Sequence, residues 1–523
     1  MNSHPIEHWH QAEAHFRDQQ WPRAHTLFTQ LAKLPQWAGP AQLRLAQIAS
    51  AQGKLREATL HILTAAASGE DDVMVLEAVA TTLCQLGELE AFVQLLATPA
   101  LSRTSDATVA LTLGRLASQQ ALTEHALPLL RHAVQLGLDQ PELHYLIGLN
   151  LLYQGELDEA GRHFEACLAR APLHAACHRQ LARLTKARAG HHHVDRLRRA
   201  LSALGAEHVD APPLHYALFK QLDDLDDTPA AWASLSFGMR LRRGQIHHDM
   251  EAERRSFAQL MRMPAPIPEK HPQPSTEAVP IFIVGQPRSG TTLLDRMLVA
   301  GGDVTGAGEL RDFPFQVRWT CDQDGAAAMD EGLAERLAGG DVDWQLLGQR
   351  YLDHSRWLAA GCHHYTDKLP SNFLFVGAIA RALPQARIVH LHRSAPDVCF
   401  SNLKELFADA YPHSYDQGEM AAHYRHYHKL MRHWHTCLPG RILDVAYEDL
   451  VSQPERINAQ LREFCGLDAR PLDRSELARG TIATASSVQL RDSVDSRFVG
   501  GWRRYAQWLD PLLQALGEDA DAR

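Results

Sequence analysis

The sequence predicts a chain in two parts. An all-α array of helical hairpins occupies residues 1–262, and after a proline-rich linker at 263–277 an α/β domain, a parallel sheet with flanking helices, occupies residues 278–515. Three observations carry that reading. Small residues recur at a fixed period through the first part. Residues 263–274 hold too many prolines for a helix or a central strand. An apolar run at Ile281 to Val284 then passes through a glycine-bounded loop into a second apolar stretch, which reads as strand, loop, helix. At 523 residues the chain exceeds what one hydrophobic core usually supports, and its formal charge of −10 offers no basic surplus for a nucleic-acid backbone.

In the first part Ala24, Ala58, Ala91, Ala126 and Ala160 recur at intervals of 34, 33, 35 and 34 residues. The fifth unit shows the reason for each landmark. Small residues at Gly148 and Ala160 let paired helices approach, Phe164 fills the groove between them, Gly155 makes the turn, and Pro172 ends the second helix. Gly53 and Gly87 repeat the turn position. This period resembles that of tetratricopeptide repeats, over about residues 5 to 174. The resemblance implies a superhelix whose concave face holds a peptide or partner protein, with a spacer role or a dimerisation surface as the alternatives. A homo-oligomer therefore stays open. Residues 214–243 read as one more, degenerate repeat with Ala230 or Ala231 at the small position.

The loop Gly285-Gln-Pro-Arg-Ser-Gly-Thr-Thr292 aims backbone N–H groups and a helix N-terminus at one point, the usual way of holding phosphate. A triphosphate-binding loop has Lys and then Ser or Thr after its second glycine; here Thr291 and Thr292 stand there. A donor without a triphosphate tail fits better, which leaves a P-loop kinase as the weaker reading. Further apolar runs at Arg387 to His392 and Arg441 to Val445 read as buried parallel strands. The first delivers Arg393 at a strand end and Ser401 two turns into the next helix, a pair suited to one phosphate group.

Four blocks, "IFIVGQPRSGTTLLDRML", "GAGELRDFP", "TDKLPSNF" and "VAYEDLVSQPE", resemble in order and spacing the sulfotransferase superfamily, and within it the protein-tyrosine sulfotransferase branch and bacterial relatives carrying tetratricopeptide repeats. The resemblance covers residues 278 to 510. It implies 3′-phosphoadenosine 5′-phosphosulfate (PAPS) as sulfuryl donor, 3′-phosphoadenosine 5′-phosphate (PAP) as product, and no metal in the reaction. Carried over by position, Arg288, Ser289, Gly290, Thr291 and Thr292 surround the 5′-phosphosulfate, Arg393 and Ser401 hold the 3′-phosphate, and Tyr447 lies near the adenine. Glu309 matches the catalytic glutamate, Lys368 the lysine at the scissile bond, and Arg288 a catalytic contact to the transferred group. Ser486 and Arg491 match the closure over the nucleotide. One departure stands out: where the tyrosine branch has a basic residue twelve positions after Arg393, this chain has Glu405, with Lys404 beside it.

The acceptor implied is a tyrosine of a protein or peptide presented by the repeats. A sugar, lipid or small-molecule hydroxyl stays open, as does a non-catalytic scaffold with a nucleotide-binding domain. The N-terminus lacks a secretory pattern and no run spans a bilayer, so a cytoplasmic protein without a membrane span is expected. The eight cysteines form no Cys-x-x-Cys pair, and the histidine-rich stretches, His191 to His193 and His423 to His435, read as solvated or packing histidines.

Overall fold

The computed structural model describes residues 5–264, 278–325, 327–407, 409–477 and 498–521. Helices fill the first part in consecutive pairs, such as Ala38–Ala51 with Leu55–Ala66, Ala107–Gln119 with Thr123–Gln135, and Pro141–Gln154 with Leu157–Arg170. Ala24, Ala58, Ala126 and Ala160 are wholly buried in the second helix of their pairs, so the period reflects packing. A Cβ added at Gly148 would lie 2.7 Å from the Phe164 ring, which is why glycine is needed there. Gly53, Gly87 and Gly155 take φ of +72°, +77° and +91°, the left-handed conformation that closes a helix with little strain in glycine. The degenerate repeat is also a helix pair, Pro212–Asp224 with Thr228–Gln245, and its buried small residue is Ala231.

Two compact units emerge. One comprises residues 1–139 with 311–328 and 345–357; the other comprises 140–310, 329–344 and 358–523. In the first, helix Asp312–Cys321 joins the repeat helices: Arg350 lies over the Trp319 ring at 3.7 Å and donates to Glu88 at 3.2 Å. No helix among the described residues is long and apolar enough to cross a membrane.

The second unit holds a five-stranded sheet of β1 (Val279–Gly285), β2 (Val304–Gly306), β3 (His364–Asp367), β4 (Arg387–His392) and β5 (Ile442–Ala446). Every pairing is parallel, in the order β2-β3-β1-β4-β5. All of β1 is buried, as a central strand covered on both faces must be. Pro280 is tolerated in it because the ladder to β4 begins only at Ile281. One face packs Ile281, Ile283, Val389, Leu391 and Val445 against Leu294, Leu298 and Leu461 of the flanking helices. Three of these strands are the predicted apolar runs; the short β2 and β3 end where "GAGELR" and "TDKLP" begin.

Candidate active site

All five strands run the same way, so their C-terminal ends deliver five segments to one rim of the sheet. There the phosphate loop follows β1, Glu309 follows β2, Lys368 follows β3, Arg393 follows β4 and Tyr447 follows β5. In open parallel sheets this rim, next to the strand from which the order winds both ways, is the usual ligand crevice. β1 is that strand here.

The loop is built by close approach. A Cβ at Gly285 would fall 2.3 Å from the Leu391 carbonyl oxygen of β4, and one at Gly290 would fall 2.5 Å from the Tyr447 ring. Gly290, at φ +107°, caps helix Thr291–Val299, whose first turn buries Thr291 and Thr292. Arg288 takes φ +67°, a strained conformation for a residue with a side chain. The Ser289 hydroxyl and both polar atoms of the Gln286 amide are buried without a hydrogen-bond partner among the described residues. Buried polar atoms left in that state are costly, which marks the cradle as built for something that bonds to it.

Arg393 closes the other side. Its guanidinium lies 4.7 Å over the Tyr447 ring, donates to the carbonyl oxygens of Arg288 at 3.4 Å and of Phe498, and faces the Asp397 carboxylate at 3.7 Å. Asp397 accepts from the backbone N–H of Gly500 at 2.7 Å and of Trp502 at 3.3 Å, fixing the returning chain. Ser401 is half-buried on helix Ala395–Leu403, downstream of Arg393. Ser486 and Arg491 lie outside the described residues.

Glu309 and Lys368 meet. Lys368 Nζ donates to Glu309 Oε1 at 2.5 Å, and the backbone holds the two segments in register: Ala307 N–H donates to Thr366 O at 3.1 Å, and Lys368 N–H to Gly308 O at 2.9 Å. Beneath them Thr366 Oγ1 donates to Asp295 Oδ1 at 2.5 Å. Burial pushes the Asp295 carboxyl above its usual range, with Lys368 pulling it back. Asp295 was not foreseen; its only sequence signal is a carboxylate inside an apolar helix turn, "LLDRML".

The Glu405 departure has a structural partner. Glu405 is buried and accepts from Arg179 and, at 3.0 Å, from Arg183, both on helix Ala175–Leu184. Burial pulls the Lys404 ammonium down, and Arg288 and Arg393 pull it further, so Lys404 sits within the field of the loop arginines. The same field holds Arg288, lowered by burial and by Arg183 and Arg393, with Glu405 opposing. No sequence pattern pointed to Arg179 or Arg183, because they come from a helix outside the recognisable blocks.

Residues 280–471 match the model of the sulfotransferase family. Over 329 residues the chain is 30% identical to an uncharacterized protein of Aquifex aeolicus (strain VF5), an alignment covering 58% of this chain and 41% of that protein. The chain thus spans less than half the length of that relative. Over 256 residues it is 23% identical to a Caenorhabditis briggsae protein named "Putative protein-tyrosine sulfotransferase", covering 46% of this chain and 90% of that one. Among solved structures, the sulfotransferase domain from the Synechococcus PCC 7002 olefin synthase matches at 21% identity and a TM-score of 0.32, covering 45% of this chain and 91% of that one. The glycine-bounded loop after β1, the Glu309–Lys368 pair and Arg393 thus all lie within the residues that match the sulfotransferase family model.

Proposed function

We propose that this protein is a PAPS-dependent sulfotransferase, with Glu309 as general base and a protein or peptide tyrosine as acceptor. The observation that carries the reading is the convergence of the loop, the Glu309–Lys368 pair and Arg393 at one rim of the parallel sheet. The cradle suits an adenylate carrying a phosphosulfate: glycines admit it closely, an orphaned Ser289 hydroxyl is ready to bond, and Arg288 and Arg393 supply charge. When bound, PAPS supplies an activated sulfuryl group whose leaving group is a 5′-phosphate.

The protein's own residues then have distinct tasks. Glu309 is half-exposed and takes the proton of the acceptor hydroxyl, a contribution of roughly 10² to 10⁴ in rate. Lys368 is buried and presents its ammonium to charge growing at the leaving oxygen. Loop amides, Ser289, Thr291, Thr292 and Arg288 hold the phosphosulfate end. Arg393 and Ser401 hold the 3′-phosphate, and Tyr447 flanks the adenine. Ser486 and Arg491 complete the closure, and the repeat array presents the acceptor. The tyrosine assignment is supported by the four shared sequence blocks and by the name of the Caenorhabditis briggsae relative.

Calorimetry tests the donor: tight binding of PAP and much weaker binding of ATP are expected, and the reverse ranking overturns the reading. Transfer of labelled sulfate from PAPS into cell lysate tests the activity. Mass spectrometry of the product places the label on tyrosine; a labelled sugar, lipid or small molecule removes the tyrosine assignment and keeps the sulfuryl transfer.

A further inference from the structure

A second cluster of polar side chains lies away from the sheet rim. Glu253, on helix Met250–Leu260, is surrounded by four histidines from three other stretches of chain: His248 before that helix, His413 in the turn Pro412–Tyr415, and His423 and His426 on helix Gln417–Cys437. His248 Nε2 and His413 Nδ1 lie 3.7 and 3.6 Å from Glu253 Oε2. His423 Nδ1 and His426 Nδ1 lie 3.1 and 3.7 Å from Oε1. Within the cluster the His413 and His423 rings stack at 3.5 Å, and Phe257 borders His423 and His426.

The hydrogen bonding is incomplete in a telling way. His413 has a side chain only 4% exposed, yet neither ring nitrogen has a hydrogen-bond partner among the described residues, and His248 Nε2 and His426 Nδ1 are also buried without one there. An imidazolium there would need acceptors for two N–H groups, and a neutral ring would still leave a lone pair facing nothing.

These separations match a coordination shell. Ligand atoms bound tetrahedrally at about 2.0–2.1 Å from one ion stand roughly 3.3 Å apart. The His248, Glu253 and His413 donor atoms all lie within 4.8 Å of one another. We propose that His248, Glu253 and His413 form a three-residue binding site for a divalent transition metal of the zinc class. His423, donating to the other carboxylate oxygen, is a positioning residue that fixes the Glu253 orientation. The metal pins helix Met250–Leu260 to the turn Pro412–Tyr415, and it takes no part in sulfuryl transfer. A different cluster, His390, His435 and Asp444, is a weaker candidate because both ring nitrogens of His390 are already bonded, to Asp444 and to Tyr427.

Cobalt(II) titration of the full-length chelator-treated protein tests the site. One tightly bound equivalent is expected, with the visible absorption of tetrahedral cobalt, displaced by zinc. Zinc should also raise the melting temperature. The double variant E253Q/H413N should lose the spectrum and the shift. H423Q should weaken binding by about 10–100-fold, and H61N, at the half-buried His25, Glu57 and His61 cluster, should change neither. Absence of both the cobalt spectrum and tight zinc retention in the wild type overturns the proposal, whatever the variants do. Equal tight binding by a folded E253Q/H413N protein overturns it as well.

Discussion

Lys368 donates to Glu309 at 2.5 Å, yet their side chains are 1% and 39% exposed. The cation faces inward and the carboxylate faces the opening. In the proposed mechanism that asymmetry suits the two tasks: an acceptor hydroxyl arriving from solvent would meet Glu309 first, while Lys368 would reach only what is already seated in the cradle. Replacing Glu309 by Gln keeps the shape and removes the proposed base. Sulfate transfer from PAPS should fall by roughly 10² to 10⁴ in kcat, with PAP affinity by calorimetry nearly unchanged. Equal turnover by both proteins removes Glu309 as the base.

Gly290 sits against Tyr447 with no room for a methyl group. Gly290→Ala forces either the ring aside or the loop out of its φ +107° conformation, at a cost of about 1–3 kcal/mol. PAP affinity should fall by about 5- to 150-fold if that cost falls on the bound form, since 1.4 kcal/mol is a factor of ten. Chemical denaturation and calorimetry read the two effects separately.

Glu405 stands between two arginines. Removing its charge leaves Arg179 and Arg183 close together with no carboxylate between them, and breaking a buried pair in this way costs about 3–5 kcal/mol. Glu405→Gln should lower the unfolding free energy, read from urea titration, by that amount. Glu405→Lys, which restores the residue type of the tyrosine branch, should be worse still, because the arginines already occupy its surroundings.

Asp312 gives the first compact unit a pH dependence. Burial, and then the neighbouring Glu88, push its carboxyl up to about 7, so the folded form keeps a proton that the unfolded chain loses near pH 4. Its stabilising share is complete below pH 4, declines as the pH rises from there, and is gone once the pH passes 7. Asp312→Asn keeps a neutral side chain at every pH. The variant should melt higher than wild type at pH 8 and differ little at pH 4, as differential scanning calorimetry would show.

Local patterns that depend on neighbouring residues were readable from sequence. Gly148 and Phe164 lie within one hairpin, and Gly285 to Thr292 is a single loop, so their spacing states their geometry. The partners of Glu405 were not readable, because Arg179 and Arg183 lie more than 200 residues away on a helix that shows only an amphipathic pattern. The histidines around Glu253 were hidden for the same reason. Spacing along helix Gln417–Cys437 puts His423 and His426 near one face, but only the tertiary fold adds His248 and His413. Asp295 was concealed by its setting, since a carboxylate between leucines and a methionine gives no hint of the Thr366 hydroxyl that meets it.

The central position of β1 has a consequence for how the protein comes into being. Its two neighbours, β3 and β4, begin about 80 and 100 residues downstream, so the strand that bears the loop waits, unpaired, for most of the chain to be synthesised. Such distant pairings close slowly. A ribosome stalled before residue 387 would carry the loop without the Leu391 carbonyl and the Tyr447 ring that Gly285 and Gly290 approach, and the complete rim would appear abruptly, late in translation, rather than growing with length.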